Sequence, residues 1–349
     1  MAITIQAAAV TGVRQAEILK LETPDLRAGE ALVRVRAAAL CTLEQRAFSG
    51  KMKMPLPFLG GHEVAGDIAA LGPGTNEKLW QVGERVAVRL LYSCGECYYC
   101  RTGHTNMCVH SQHKPVREGM LPGPGGLCDF IVVQTKDLYP IPESLSYEEA
   151  SLTEPLACCV HSVERADIQF GEDVAVIGGG IMGMNHVMLA KRRGARVILS
   201  ETDEARRKLG LLLGADIAID PSSEDPVKAV RELTDGRGAD VVFNTTAIGA
   251  VVPQAIEMCG RAGRMIQYSS MHPDVPVEVS PHMLHNTEKT LTGSISPTER
   301  DFFKANRLLS LGVIRMEKLI AKTYPFGQVQ AAFEHACLPG TYRVVVTAE

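Results

Sequence analysis

Over the first 150 residues, apolar and polar positions alternate in short runs. The clearest are residues 31–37 (ALVRVRA), 84–90 (ERVAVRL) and 130–133 (FIVV). Turn signals such as Gly72-Pro-Gly74 and Pro122-Gly-Pro-Gly-Gly126 separate them. A period of two broken by Gly and Pro predicts a compact, largely antiparallel β domain over residues 1–150. The pattern then changes. Residues 147–166 carry a helical period, with a kink or break predicted at Pro155. Beyond them the apolar runs 173–177 (DVAVI), 196–199 (RVIL), 240–243 (DVVF) and 264–268 (RMIQY) are each separated by a segment of helical length. That order predicts an α/β unit, a doubly wound parallel sheet over residues 151–294. Residues 295–349 close on TYRVVVT (341–347), a strand predicted to return to the first domain.

Composition narrows the function classes. Hydrophobic residues make up 46% and charged residues 22%, with a net charge of -4. Such a chain lacks the basic field a nucleic-acid partner would need. No apolar run approaches the roughly 18 residues that span a bilayer, so no membrane is expected. The start, MAITIQAAAV, reads as a first strand and not as a signal peptide, so a cytoplasmic protein is expected.

Three groups of residues carry chemistry. Cys94, Cys97, Cys100 and Cys108 are spaced C-x2-C-x2-C-x7-C. Four thiolates can enclose one Zn²⁺ and leave no position open, which is a structural zinc in a lobe over 94–108. Paired disulfides are the other reading, set aside because a chain of this kind belongs in a reducing compartment. In the second group Gly178, Gly180 and Gly183 have G-x-G-x-x-G spacing after a strand, with Ile181 and Met182 opening a helix. The glycines allow the turn, the approach of a pyrophosphate and close helix packing, and the helix N-terminus favours the phosphates. Glu201 ends the next strand, where a carboxylate binds a ribose 2′-hydroxyl and repels a 2′-phosphate, so NAD is expected over NADP. Arg206 and Arg207 either approach the adenine end or lie on a solvated face, and Thr245 is expected beneath the nicotinamide half. The third group is Cys41, His62 and Glu154, a mixed ligand set that can hold Zn²⁺ and keep one position for substrate.

The chain resembles the zinc-dependent medium-chain dehydrogenases, the family of alcohol, polyol and threonine dehydrogenases. The resemblance runs through Cys41, Gly61-His62-Glu63, the four-cysteine lobe, Glu154-Pro-Leu-Ala, the glycine fingerprint and Glu201. Glu154-Pro-Leu-Ala is nearest the polyol and sorbitol branch. The resemblance implies a GroES-like β domain and a Rossmann domain with the active site in the cleft between them, one catalytic and one structural zinc, and NAD. It implies that Cys41 and His62 ligate the catalytic zinc and that Glu63 and Glu154 act on it, one directly and one through water or in exchange. Which of the two binds directly is open. A small-molecule alcohol or polyol substrate, a hydride transfer and a homodimer or homotetramer are implied as well.

The chain departs from the family at one point. Members commonly read Cys-Gly-Ser/Thr-Asp, the hydroxyl starting a proton relay; here the run is Cys41-Thr42-Leu43-Glu44. Leu43 has no proton to relay. Thr42 takes over, or Glu63 or Glu154 serves as base, or the site performs other chemistry, such as an NAD-using epimerisation or elimination. A non-catalytic dinucleotide-binding protein is the remaining alternative. Arg46 is either a surface cation or faces a polar substrate, and the polar loop 110–119 is near the expected cleft.

Overall fold

The computed structural model describes residues 3–111, 116–271 and 273–348. The chain forms two compact units, Met1–Ala157 with Thr298–Glu349, and Cys158–Pro297.

In the first unit the alternating runs build a sheet ordered Ile320–Pro325, Arg343–Thr347, Glu30–Ala39, Glu63–Leu71, Arg85–Arg89, Leu138–Pro140, with Phe130–Gln134 also on Glu30–Ala39. Neighbours are antiparallel except the first pair. Thr4–Gly12 and Gln15–Glu22 form a separate hairpin. One edge of the central strand is shared: Phe130–Gln134 covers Glu30 to Arg34, and Arg343–Thr347 covers Ala37 to Ala39. On its other edge Ala39 faces Glu63. Cys41, Glu63 and Arg343 are thereby drawn to one end of the sheet, although Arg343 is some 300 positions from Cys41 in the chain. Inward residues of these strands, among them Val33, Val64, Val86 and Val344, join Phe48 and Phe333 in the core.

The second unit is a six-stranded sheet ordered Ile217–Ile219, Arg196–Ser200, Asp173–Ile177, Ala239–Asn244, Cys259–Gln267, Thr290–Gly293. All its pairings are parallel. Numbered within the unit, the order is 3-2-1-4-5-6, that of a dinucleotide-binding doubly wound fold. Every residue of Asp173–Ile177 is buried, as a strand covered by helices on both faces requires. The order reverses between Asp173–Ile177 and Ala239–Asn244, and their carboxyl ends carry Gly178 and Thr245.

Two details differ from the sequence reading. The break in the 147–166 run falls at Leu152, between helices Tyr147–Ser151 and Thr153–Ala166. Pro155 instead lies in the first turn of the second helix, where a missing N–H leaves no helical bond unmade. The strand expected at 264–268 begins at Cys259. Gly260, Ala262 with φ 55° and Gly263 interrupt its apolar pattern and hide its start.

Candidate metal centres and dinucleotide site

Cys41 leaves the central strand with extended backbone (φ -75°, ψ 170°) and caps helix Thr42–Phe48. Glu44, the third residue of that helix, turns back and accepts the Cys41 N–H at 3.1 Å. Its carboxylate also accepts the Gly61 N–H at 2.9 Å and meets His62 Nδ1 at 3.0 Å. Burial would raise the Glu44 pKa, yet the charge and hydrogen bond of His62, with the Gly61 N–H, hold it below its ordinary value. An ionised carboxylate only accepts, so Nδ1 donates to it, and Nε2 is the nitrogen that can bind a metal once it gives up its own proton.

Glu63 follows on strand Glu63–Leu71 and is wholly buried. Arg343 grips it with two bonds, Nε at 2.9 Å and Nη2 at 2.6 Å, and Nη2 is 3.3 Å from Cys41 Sγ. Burial works against the charge on Arg343, but Glu63, Cys41 and Glu154 prevail and raise its pKa. His62 behaves alike: burial opposes its charge, and Glu44 and Cys41 push it well above its usual range. Both shifts mean that this cluster favours positive charge.

Ligand atoms of Cys41, His62 and Glu63 lie within 4.8 Å of one another. Atoms bound at about 2.0–2.3 Å to one tetrahedral ion stand roughly 3.5 Å apart, so small side-chain movements bring this set onto a metal. Sulfur, imidazole and carboxylate together suit zinc. Glu154, buried in the first turn of Thr153–Ala166, is outside that trio and is felt through its charge on Arg343. Thr42 is exposed, and Leu43 packs against the apolar core.

The ligand atoms of Cys94, Cys97, Cys100 and Cys108 also lie within 4.8 Å of one another. Cys94 and Cys100 Sγ are 3.9 Å apart, and all four thiols are free. Backbone N–H groups point at the sulfurs: Cys97 to Cys94 at 3.4 Å, Cys94 to Cys108 at 3.3 Å, His110 to Cys108 at 3.4 Å. Such donors, led by the Cys100 contribution, lower the Cys97 thiol to about 6, whereas burial and the neighbouring thiols push Cys100 up to about 12. Four sulfurs at this spacing could share one cation.

In the second unit Gly178 turns at φ 97°, and Gly180 caps helix Ile181–Arg192. A Cβ on Gly183 would stand 1.8 Å from the Gly178 carbonyl oxygen, so no other residue fits there. Ile181 and Met182 form the half-buried first turn. Glu201 directly follows strand Arg196–Ser200 and accepts the N–H groups of Gly179 and Asp203. Thr245 donates to the Ile177 carbonyl at 2.8 Å. Arg206 is half-buried in the first turn of helix Glu204–Leu213. Its neighbour Arg207 braces the Glu201 and Thr202 carbonyls and pairs with Asp220 at 3.2 Å.

Glu44 and Arg343 were missed by the sequence reading. Glu44 had a local signal, a carboxylate three residues after Cys41 at a helix start. Arg343 had none, because strand pairing alone brings it in. In the polar loop Arg117 pairs with Glu30 at 2.9 Å and so braces the β unit; residues 112–115 lie outside the described residues.

Residues 27–143 match the family model of the alcohol dehydrogenase GroES-like domain, and residues 182–310 that of the zinc-binding dehydrogenase. The sorbitol dehydrogenase of Bacillus subtilis (strain 168) is 30% identical over 338 residues, covering 95% of this chain and 93% of that protein. A zinc-binding dehydrogenase structure from Sinorhizobium meliloti 1021, bound to NADP, superposes with TM-score 0.89 at 26% identity, covering 99% of each chain. A structure described as a short chain alcohol dehydrogenase from Escherichia coli CFT073, complexed with NADH, gives TM-score 0.87 at 26% identity, again over 99% of each. With both domain models matched in order and a relative aligned along nearly its whole length, the chain belongs to the zinc-dependent medium-chain dehydrogenase family.

Proposed function

We propose that the protein is an NAD- and zinc-dependent dehydrogenase that oxidises a secondary alcohol of a polyol, a sugar or a related hydroxylated metabolite. The convergence of Cys41, His62 and Glu63, with Glu44 fixing the imidazole from behind, carries the reading. Cys41, His62 and Glu63 hold the catalytic zinc, and Cys94, Cys97, Cys100 and Cys108 hold the structural one. When bound, zinc supplies Lewis-acid polarisation of the substrate hydroxyl and NAD accepts the hydride.

The remaining work belongs to this chain's side chains. Glu44 is held ionised by His62 and the Gly61 N–H, and Arg343 lies against both Glu63 and Cys41, so a cation is welcome beside them. Glu154 is left over as the carboxylate able to take the hydroxyl proton, directly or through one water. Its burial favours that role over the exposed Thr42, and Leu43 is unable to fill it. Gly178, Gly180 and Gly183, with the helix N-terminus at Ile181 and Met182, cradle the pyrophosphate. Glu201 selects NAD by binding the ribose hydroxyls and repelling a 2′-phosphate; Thr245 lies at the nicotinamide end and Arg206 at the adenine end. Among the described residues no helix is long and apolar enough to cross a membrane. A cytoplasmic homodimer or homotetramer completes the reading.

Reduced-nicotinamide absorbance with a panel of polyols and sugars tests it. NADH formation with at least one polyol, faster than NADPH formation, is expected. No turnover on any hydroxylated substrate, or preference for NADP, would count against the reading.

A further inference from the structure

Two adjacent glycines precede His62, and they are glycine for different reasons. Gly61 has φ 90°, a backbone that disfavours any side chain. Gly60 is not in that region, so conformation does not demand glycine there. Space does. A Cβ on Gly60 would stand 2.6 Å from Glu44 Cγ and 3.1 Å from its Oε1, the first well inside the contact distance of packed carbons. Glu44 has nowhere to retreat, since it is buried and bonded to the Cys41 N–H, the Gly61 N–H and His62 Nδ1. Glutamate is one methylene longer than aspartate, and its Cγ is the atom nearest that Cβ.

We propose that Glu44 and Gly60 are a matched pair. The missing side chain at Gly60 makes the room in which the longer carboxylate reaches Nδ1, and the pair thereby sets the direction in which His62 presents Nε2 to the metal. Glu44 is in this sense a positioning residue. The steric half stands on contacts alone; the consequence for the metal rests on the reading of His62 as a zinc ligand.

Four proteins test the pairing: wild type, Gly60→Ala, Glu44→Asp and the double variant. The readouts are the thermal midpoint and the rate at which the more labile zinc passes to a colorimetric chelator. Gly60→Ala alone is expected to lower the midpoint by roughly 5 °C and to speed zinc loss about tenfold or more. In the Glu44→Asp background the same change is expected to have less than half of either effect. Equal midpoint shifts in both backgrounds would overturn the pairing. Coupled midpoints with unchanged zinc release would overturn the positioning role, which a mere space-filling contact would leave untouched. Should Gly60→Ala fail to fold, a folded double variant supports the pair, and an unfolded double beside a folded Glu44→Asp overturns it. Wild-type protein with a single zinc would sink the catalytic-zinc reading instead, while the midpoints still decide the pair.

Discussion

His62 in the first unit and His186 in the second are both withdrawn from solvent, 8% and 0% exposed, yet their surroundings drive them in opposite directions. His62 faces carboxylate and thiol: Glu44 holds Nδ1, and Cys41 adds its charge. His186 faces neutral groups. Its Nδ1 is 2.7 Å from the Met182 carbonyl and its Nε2 2.9 Å from Ser162 Oγ, and the rings of Phe243 and Tyr268 pack at 4.5 and 4.8 Å. A carbonyl only accepts, so Nδ1 donates to it and Nε2 accepts the serine hydroxyl. Burial, outweighing the Met182 bond, pushes this imidazole down to about 4. Equal burial therefore says little about a histidine's job. The partners decide: anionic ones draw positive charge, a proton or a metal ion, onto the imidazole, and neutral ones make it a core strut.

Exchanging the two positions should break this contrast most sharply. Replacing His62 by Ala is expected to cut turnover about a thousandfold or more and to lower zinc from two ions per chain to one, with dinucleotide binding kept. His186→Ala should leave the zinc count alone. Metal analysis beside steady-state kinetics decides this, and a His62→Ala protein that keeps both zincs would contradict it.

Glu154→Gln extends the test to the charged side of the comparison. Loss of a general base is expected to lower kcat about 10²–10⁴-fold and to remove the corresponding limb of the pH–rate profile. An unchanged profile would take the proton from Glu154 and return it to another group.

Arg343→Met leaves Glu63 buried without its cation. A loss of about 3–5 kcal/mol in urea-induced unfolding of the β unit is expected, partly restored in Arg343→Lys. A loss under about 1 kcal/mol would mean that Glu63 finds another partner.

His186 supplies the smallest of these effects, and one with the opposite pH signature to a paired base. Its folded pKa, about 4, lies below the ordinary histidine value of 6.5. Between those values the unfolded chain binds more protons, so stability is full above about pH 6.5 and falls as pH drops toward 4. The loss amounts to about 3 kcal/mol. His186→Gln should flatten that part of the stability profile, and Ser162→Ala should cost only about 1 kcal/mol. A His186→Gln profile parallel to wild type across this window would show that other groups set the acid limb.

Legibility followed the range of the interactions. The four-cysteine lobe spans 15 residues, and spacing alone identified it. Asp173–Ile177 was read to the residue because a doubly buried strand is apolar throughout. The Cys41 cluster was read only in part. Its candidate ligands carry weak local signals, its charge balance depends on Arg343, and strand pairing with Glu30–Ala39 is what delivers that residue. Glu44 was within reach of the sequence, but a carboxylate at the third position of a helix has an ordinary capping role that conceals a second one. Gly60 was unreadable, since its reason is the space Glu44 fills. The start of Cys259–Gln267 was obscured by glycines in an irregular pairing.

Anomalous scattering at the zinc edge from crystals of the purified protein tests the central claim most directly. Two peaks per chain are expected, one among Cys94, Cys97, Cys100 and Cys108 and the other bounded by Cys41 Sγ, His62 Nε2 and the Glu63 carboxylate. A single peak in the cysteine lobe, or a second one away from His62 Nε2, would contradict it.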